Sequence, residues 1–338
     1  NADGFAFDNV ATLTGGTGVD TFNVIANNID VLIADGGDGN DVFNLQADTL
    51  AAFSGNADND TFNVQANSSA ILSGGAGADT FAVQEGFSSN SIDGGADLDA
   101  LAALGDAGTD NTWTITGVNA GSLDQGTGPT QAFAGLESLL GNGDNDSFVF
   151  SGGSMEGSIA GGAGANLLSY VGTLGAVTVN LNDATATNIG TTFASITGMI
   201  GNGADSQLIG LDAGSTWTIG ANITDSNADG FAFDNVATLT GGTGVDTFNV
   251  IANNIDVLSA SGGAGNDVFN LQADTLAAFS GNADNDTFNV QANSSAILSG
   301  GAGADTFAVQ EGFTASSIDG GAGIDNLAAL GLSLIHIS

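Results

Sequence analysis

The sequence predicts an all-β chain, a parallel β-solenoid of about 20 residues per coil, and three observations carry that expectation. Glycine turns recur at a near-constant interval, beginning at Gly15, Gly36, Gly55, Gly74 and Gly94, then Gly141, Gly161 and Gly201, then Gly241, Gly262, Gly281, Gly300 and Gly320. Most of them are followed by a carboxylate and, two places on, a large apolar residue, as in GGTGVDTFN from Gly15 to Asn23. A second, mostly apolar series stands two residues before the turns: Leu13, Ala34, Phe53, Leu72, Ile92, Leu139, Ile159 and Met199. Two short strands cannot bury an apolar face alone, whereas stacked coils do so for one another. At about 4.8 Å per stacked strand, roughly 16 coils would form a single elongated rod on the order of 75 Å long.

Within one coil the parts follow in order. Two glycines allow the backbone positive φ, and the third stays free of a Cβ where carbonyl oxygens converge. Asp20 then offers carboxylate oxygens to a cation. The strand Thr21, Phe22, Asn23, Val24 alternates, so Phe22 and Val24 point inward together. The third turn, GNADNDTFN, carries Asn56 and Asp58 where glycines stand elsewhere, and its copy carries Asn282 and Asp284. Asn and Asp tolerate left-handed backbone best after glycine, so this turn is expected to survive. In GGAGANLLS Asn166 replaces the carboxylate, and in GNGADSQLI Ser206 does. Weaker or absent metal binding is expected at both.

Between Gly94 and Gly141 the spacing roughly doubles, and the segment carries Trp113 and Pro129. Trp113 shares a face with Ile115, so its ring is read as core filling or as the cap of a coil junction, with sugar stacking as the alternative. Trp217 opens a matching strand. The stretch from Leu167 to Asp183 alternates like ordinary coils with decayed turns, and Tyr170 reads as packing.

The chain has 338 residues and a formal charge of −38, with neither lysine nor arginine to set against its 38 carboxylates. Two carboxylates about 5 Å apart repel by about 0.8 kcal/mol at the dielectric of water and about 3 kcal/mol at an effective ε near 20. A stacked ladder of them therefore favours divalent cations. The same charge argues against nucleic acid and anionic membranes as partners, since both are normally bound by basic residues. No apolar run approaches a membrane span. The chain opens on Asn1 and reads as an internal fragment.

A long repeat overlies the short one. Residues 1–105 recur as 227–331, with the acidic Asp35 and Asp38 becoming Ser261 and Ala264. No inward Phe or Val differs between the copies. The expected organisation is thus two β-roll blocks, 1–105 and 227–331, around a degenerate block, 106–226, with Trp strands. Residues 332–338, LSLIHIS, are foreign to the pattern and resemble the translation of a sequencing-adapter end; the single histidine, His336, lies among them.

The segments GGTGVDTFN, GGDGNDVFN and GGAGADTFA, with GGTGVDTFN at Gly241, GGAGNDVFN at Gly262 and GGAGADTFA at Gly300, resemble the nonapeptide of the hemolysin-type calcium-binding, or RTX, repeats. The Trp-strand segments also resemble bacterial beta-strand-repeat and filamentous-haemagglutinin-like surface adhesins. The resemblance implies a parallel β-roll exported by bacteria, with Ca2+ held between coils. Its ligands would be the sixth-place carboxylates Asp20, Asp41, Asp79, Asp246, Asp267, Asp305 and Asp325, joined at imperfect turns by Asp60, Asp99, Asp146 and Asp286. The carbonyls of the turn glycines would complete the shell: Gly16, Gly18, Gly37, Gly39, Gly75, Gly77, Gly242, Gly244, Gly263, Gly265, Gly301 and Gly303. One nonapeptide per coil, instead of the family's usual two, predicts a single metal-bearing edge and a plain opposite edge.

The function expected from these readings is a non-catalytic, calcium-stabilised stalk of a secreted or cell-surface adhesin. Surface glycans or host-cell ligands would bind through regions outside this fragment. The alternative is the repeat domain of a secreted hydrolase or toxin whose catalytic domain lies elsewhere. A polysaccharide-acting enzyme is disfavoured, because such chemistry needs a basic residue or histidine that the repeats lack. Ice binding needs a regular outward Thr and Asn array, which the loops do not provide, although Thr21 with Asn23 and Thr61 with Asn63 are traces of one.

Overall fold

The computed structural model describes residues 10–26, 33–49, 51–105, 108–253, 256–275 and 277–330. The tail with His336 lies outside them. The described chain is all β, with no helix, wound as a parallel β-solenoid of about 20 residues per coil. It divides into two compact units: Asn1–Ser169 with Asn188–Ile196, and Tyr170–Thr187 with Thr197–Ser338.

In the first unit, one wall stacks Thr12–Gly16, Ile33–Asp38, Ala52–Ala57, Ile71–Ala76 and Ser91–Ala96 in parallel. Its inward column runs Leu13, Ala34, Phe53, Leu72, Ile92. The second wall stacks Thr21–Val24, Val42–Leu45, Thr61–Val64, Thr80–Gln84 and Ala100–Leu104, with Phe22, Phe43, Phe62, Phe81 and Leu101 in register. Because each coil presents the same residue at the same height, the rings pile face to face, with centroids 4.8, 4.6 and 4.7 Å apart from Phe22 to Phe81. Phe43, Phe62 and Phe81 are fully buried. On the outside, Asn44 donates to Asn23 and Asn63 to Asn44, at 2.9 and 2.8 Å, giving a short amide ladder.

The long-spaced segment departs from the coil pattern. Asn111–Gly117, Ala120–Asp124 and Gln131–Ala134 form an antiparallel meander, with Phe133 continuing the first wall below Ile92. Leu139 and Ile159 were expected to continue that column too. They stack instead under Leu101 in the second wall. The meander supplies extra first-wall strands, so the chain reaches Leu139 already on the other side. Trp113 is fully buried, stacked on Phe148 at 5.6 Å and edge-on to Phe133. That placement makes it core and removes the sugar-stacking alternative.

The second unit repeats the plan. Trp217, Phe248, Phe269, Phe288 and Phe307 are in register in one wall; Leu239, Ala260, Phe279, Leu298 and Ile318 are in register in the other. Val177–Asn180 stacks in parallel on the long strand Gly198–Ile209, but it also forms an antiparallel hairpin with Thr185–Ala186, so this stretch is not an ordinary coil. The Tyr170 hydroxyl is buried and donates to the Thr187 carbonyl at 2.8 Å.

The acidic turn column as candidate metal centre

Each acidic turn is positioned by the strand before it and the large apolar residue after it, a Phe at most turns and Leu101 or Leu327 after Asp99 and Asp325. At the third turn, Asn56 and Asp58 adopt φ of 75° and 72°, and Asn282 and Asp284 of 76° and 74°, so the glycine-poor turn keeps the left-handed backbone of its neighbours. The turn glycines stack closely. The carbonyls of Gly16 and Gly18 abut Gly37 and Gly39, and those of Gly242 and Gly244 abut Gly263 and Gly265. Likewise the carbonyls of Gly75, Gly301 and Gly303 abut Gly95, Gly321 and Gly323, while Gly77 sits against the Asp58 carbonyl.

The sixth-place aspartates form a ladder through the backbone. Oδ1 of Asp41 accepts the Asp20 N–H, Oδ1 of Asp60 the Asp41 N–H, Oδ1 of Asp79 the Asp60 N–H and Oδ1 of Asp99 the Asp79 N–H, each at 2.7 Å. The second unit repeats this from Asp246 through Asp267, Asp286 and Asp305 to Asp325, at 2.8 to 3.1 Å. At seven of these turns the other oxygen is left without a partner, whereas Oδ2 of Asp246 accepts the Gly242 N–H at 3.0 Å. Oδ2 of Asp41, Asp60, Asp79, Asp99, Asp267, Asp286 and Asp305 is buried and accepts no hydrogen bond.

The surroundings of Oδ2 are oxygen-rich. A Cβ built on Gly36, Gly55, Gly74, Gly281 or Gly300 would meet both the Oδ2 of its own turn and the carbonyl oxygen of the first glycine one coil on. Carboxylate and carbonyl thus converge with no proton donor between them. Burial accordingly pushes Asp60 and Asp99 up to about 6 and Asp79, Asp267 and Asp286 up to about 7. Neighbouring carboxylates add to the rise, and the accepted backbone N–H opposes it. Asp41, Asp146 and Asp246 are raised by burial as well.

The acids do not all share one column. Asp99 donates its N–H at 2.8 Å to Oε2 of Glu137, a residue the turn spacing did not single out. Glu137 follows Gly135 by two residues where Asp99 follows Gly94 by five, so a longer side chain spans a shortened turn. The signal was present in Glu137-Ser138-Leu139, which registers on Asp99-Ala100-Leu101. Asp146 lies elsewhere: it precedes Phe148, which pairs with Trp113 in the first-wall lineage. The turns from Gly141 to Asp146 and from Gly161 to Asn166 run from second wall to first, the reverse of the Gly15 turn. They therefore sit on the opposite edge of the first unit, and that edge, expected to be plain, carries the Asp146 carboxylate. Oδ1 of Asp146 accepts from the Trp113 indole at 2.8 Å and from Asn111 at 2.9 Å, so the Trp strand closes this shorter column.

A second, outer rank comes from the fourth turn position, where Asp58, Asp97 and Asp284 accept the N–H of Gly39, Gly77 and Gly265 at 3.0, 3.2 and 3.0 Å. Among the described residues no three His, Cys, Asp or Glu side chains converge as a cage. A cation here would draw one carboxylate from a coil and the rest of its shell from backbone carbonyls. That donor set is hard oxygen throughout, with no thiolate or imidazole, and fits Ca2+, which takes 6 to 8 oxygens in flexible arrangements. The orphaned Oδ2 atoms are where such a charge is wanted. No protein-family model matches the chain, and no curated protein matches it either.

Proposed function

We propose that the chain is a calcium-stiffened, non-catalytic repeat region of a secreted or cell-surface bacterial protein of the adhesin type. The observation that carries the calcium reading is the row of buried, unpartnered aspartate oxygens facing carbonyls across successive coils. A formal charge of −38 without a single lysine or arginine leaves solvent ions or bound metal as the compensating charge, which supports that reading. The likeness of the turns to RTX nonapeptides supports the same reading, and the adhesin-like Trp segments support the extracellular setting.

Coil stacking then couples to metal. Each buried Phe contributes roughly 1.5 to 3 kcal/mol to stacking, while the aligned carboxylates oppose it. Calcium that binds only the stacked state adds its binding free energy to folding. Export from a calcium-poor cytoplasm to a calcium-rich exterior would set the coils only after secretion. Far-ultraviolet circular dichroism of the chain, with calcium titrated against a chelator, tests this. The β signal is expected to grow with calcium and fall when it is withdrawn. A β signal indifferent to chelator would refute the proposal.

A further inference from the structure

Two turns lacking an acid at the sixth place show what the Oδ2 position requires. In the first unit Asn166 keeps the ladder, its Oδ1 accepting the Asp146 N–H at 2.8 Å. Its Nδ2 stands where an aspartate would place Oδ2, and it donates to the Ala163 carbonyl at 2.8 Å and the Ser195 carbonyl at 2.9 Å. A Cβ built on Gly161 would meet that Nδ2 and the Ser195 carbonyl, just as one on Gly74 would meet Oδ2 of Asp79 and the Gly94 carbonyl. In the second unit the Ser206 hydroxyl lies 2.6 Å from the Gly203 carbonyl and 2.9 Å from the Asn235 carbonyl, donating to one of them while it accepts the Ala237 N–H at 3.3 Å. Both turns fill with a donor the place that the turns of Asp41, Asp60, Asp79, Asp286 and Asp305 leave as oxygen against oxygen.

We infer that Asn166 and Ser206 supply an internal hydrogen-bond donor where the acidic turns take an ion, so that their coils close without calcium and the sixth-place side chain decides which coils depend on it. The inference rests on the calcium reading proposed above and adds a rule for individual turns. Asparagine and aspartate have nearly the same shape, so the exchange is expected to work in both directions. An amide at position 79 or 286 faces a carbonyl that is already in place. A carboxylate at position 166 or 206 faces one with nothing to neutralise it.

The test uses the full chain, the double variant Asp79→Asn/Asp286→Asn, and the single variants Asn166→Asp and Ser206→Asp. Bound calcium is measured by equilibrium dialysis, and β ellipticity is followed with temperature in calcium and in chelator. The double variant is expected to bind fewer calcium ions than the parent yet to hold its β signal in chelator to a temperature higher by about 5 °C. Asn166→Asp and Ser206→Asp are each expected to bind more calcium and to lose β signal earlier in chelator. A double variant less stable in chelator than the parent would overturn the inference, as would acid variants that match the parent in both ion count and chelator melting. A parent chain that binds no calcium at millimolar concentration would instead remove the calcium reading itself, a distinct result.

Discussion

Replacing Phe62 by alanine probes the packing on which every acidic turn is mounted. Phe62 is fully buried and lies between Phe43 and Phe81, with ring centroids 4.6 and 4.7 Å away. Truncation removes the ring from its core and leaves a cavity between two rings whose spacing is fixed by parallel backbone pairing on both sides, so collapse into the gap is restricted. A Phe→Ala change of this kind costs about 3 to 5 kcal/mol. Loss of two stacked pairs, each worth about 0.5 to 1.5 kcal/mol beyond burial, places Phe62→Ala toward the upper end of that range. The neighbouring Asn63 points outward and donates one part-buried amide hydrogen bond to Asn44, so Asn63→Ala should cost about 1 kcal/mol. Guanidinium denaturation at saturating calcium, followed by circular dichroism, measures both. A Phe62→Ala loss below about 1 kcal/mol, or an Asn63→Ala loss that equals it, would refute the inward and outward assignment of the strand.

Two further outcomes are expected. Asp60, Asp79, Asp99, Asp267 and Asp286 are raised from 3.8 to about 6 or 7 in the folded chain, chiefly by burial, so the fold holds protons that the unfolded chain releases near pH 4. In chelator their contribution to stability is complete below about pH 4 and is lost as pH rises through 6 to 7. Melting temperature in chelator should therefore fall between pH 5 and pH 8, and a rise over that interval would contradict the assignment. Trp113→Phe keeps an aromatic ring on Phe148 but removes the indole donor 2.8 Å from Asp146. With a hydrogen bond to a charged group lost, denaturation in calcium should show a cost of about 2 kcal/mol.

What the sequence made legible was whatever repeats in register. The turn interval located the coils, and the place of Phe22 after Asp20 assigned the inward column of the second wall, because parallel stacking sets equivalent residues one above another. Even the glycine-poor turn at Asn56 and Asp58 was readable, since few residue types accept that backbone. Legibility failed where the chain leaves the period. The antiparallel meander from Asn111 to Ala134 adds strands to one wall only, and nothing in the residue spacing records that shift. Leu139, Ile159 and Asp146 were consequently placed on the wrong side, and Glu137 was passed over because its turn is shortened. The orphaned Oδ2 atoms were not readable at all, because they depend on the carbonyl of a neighbouring coil.

The most direct measurement is the anomalous scattering of crystals grown with millimolar calcium. Peaks are expected at the turns carrying Asp41, Asp60, Asp79 and Asp99, and at those carrying Asp267, Asp286 and Asp305, recurring once per coil and missing beside Asn166 and Ser206. Acidic turns without a peak, in crystals whose solvent holds ample calcium, would contradict the claim that cations bind these coils together.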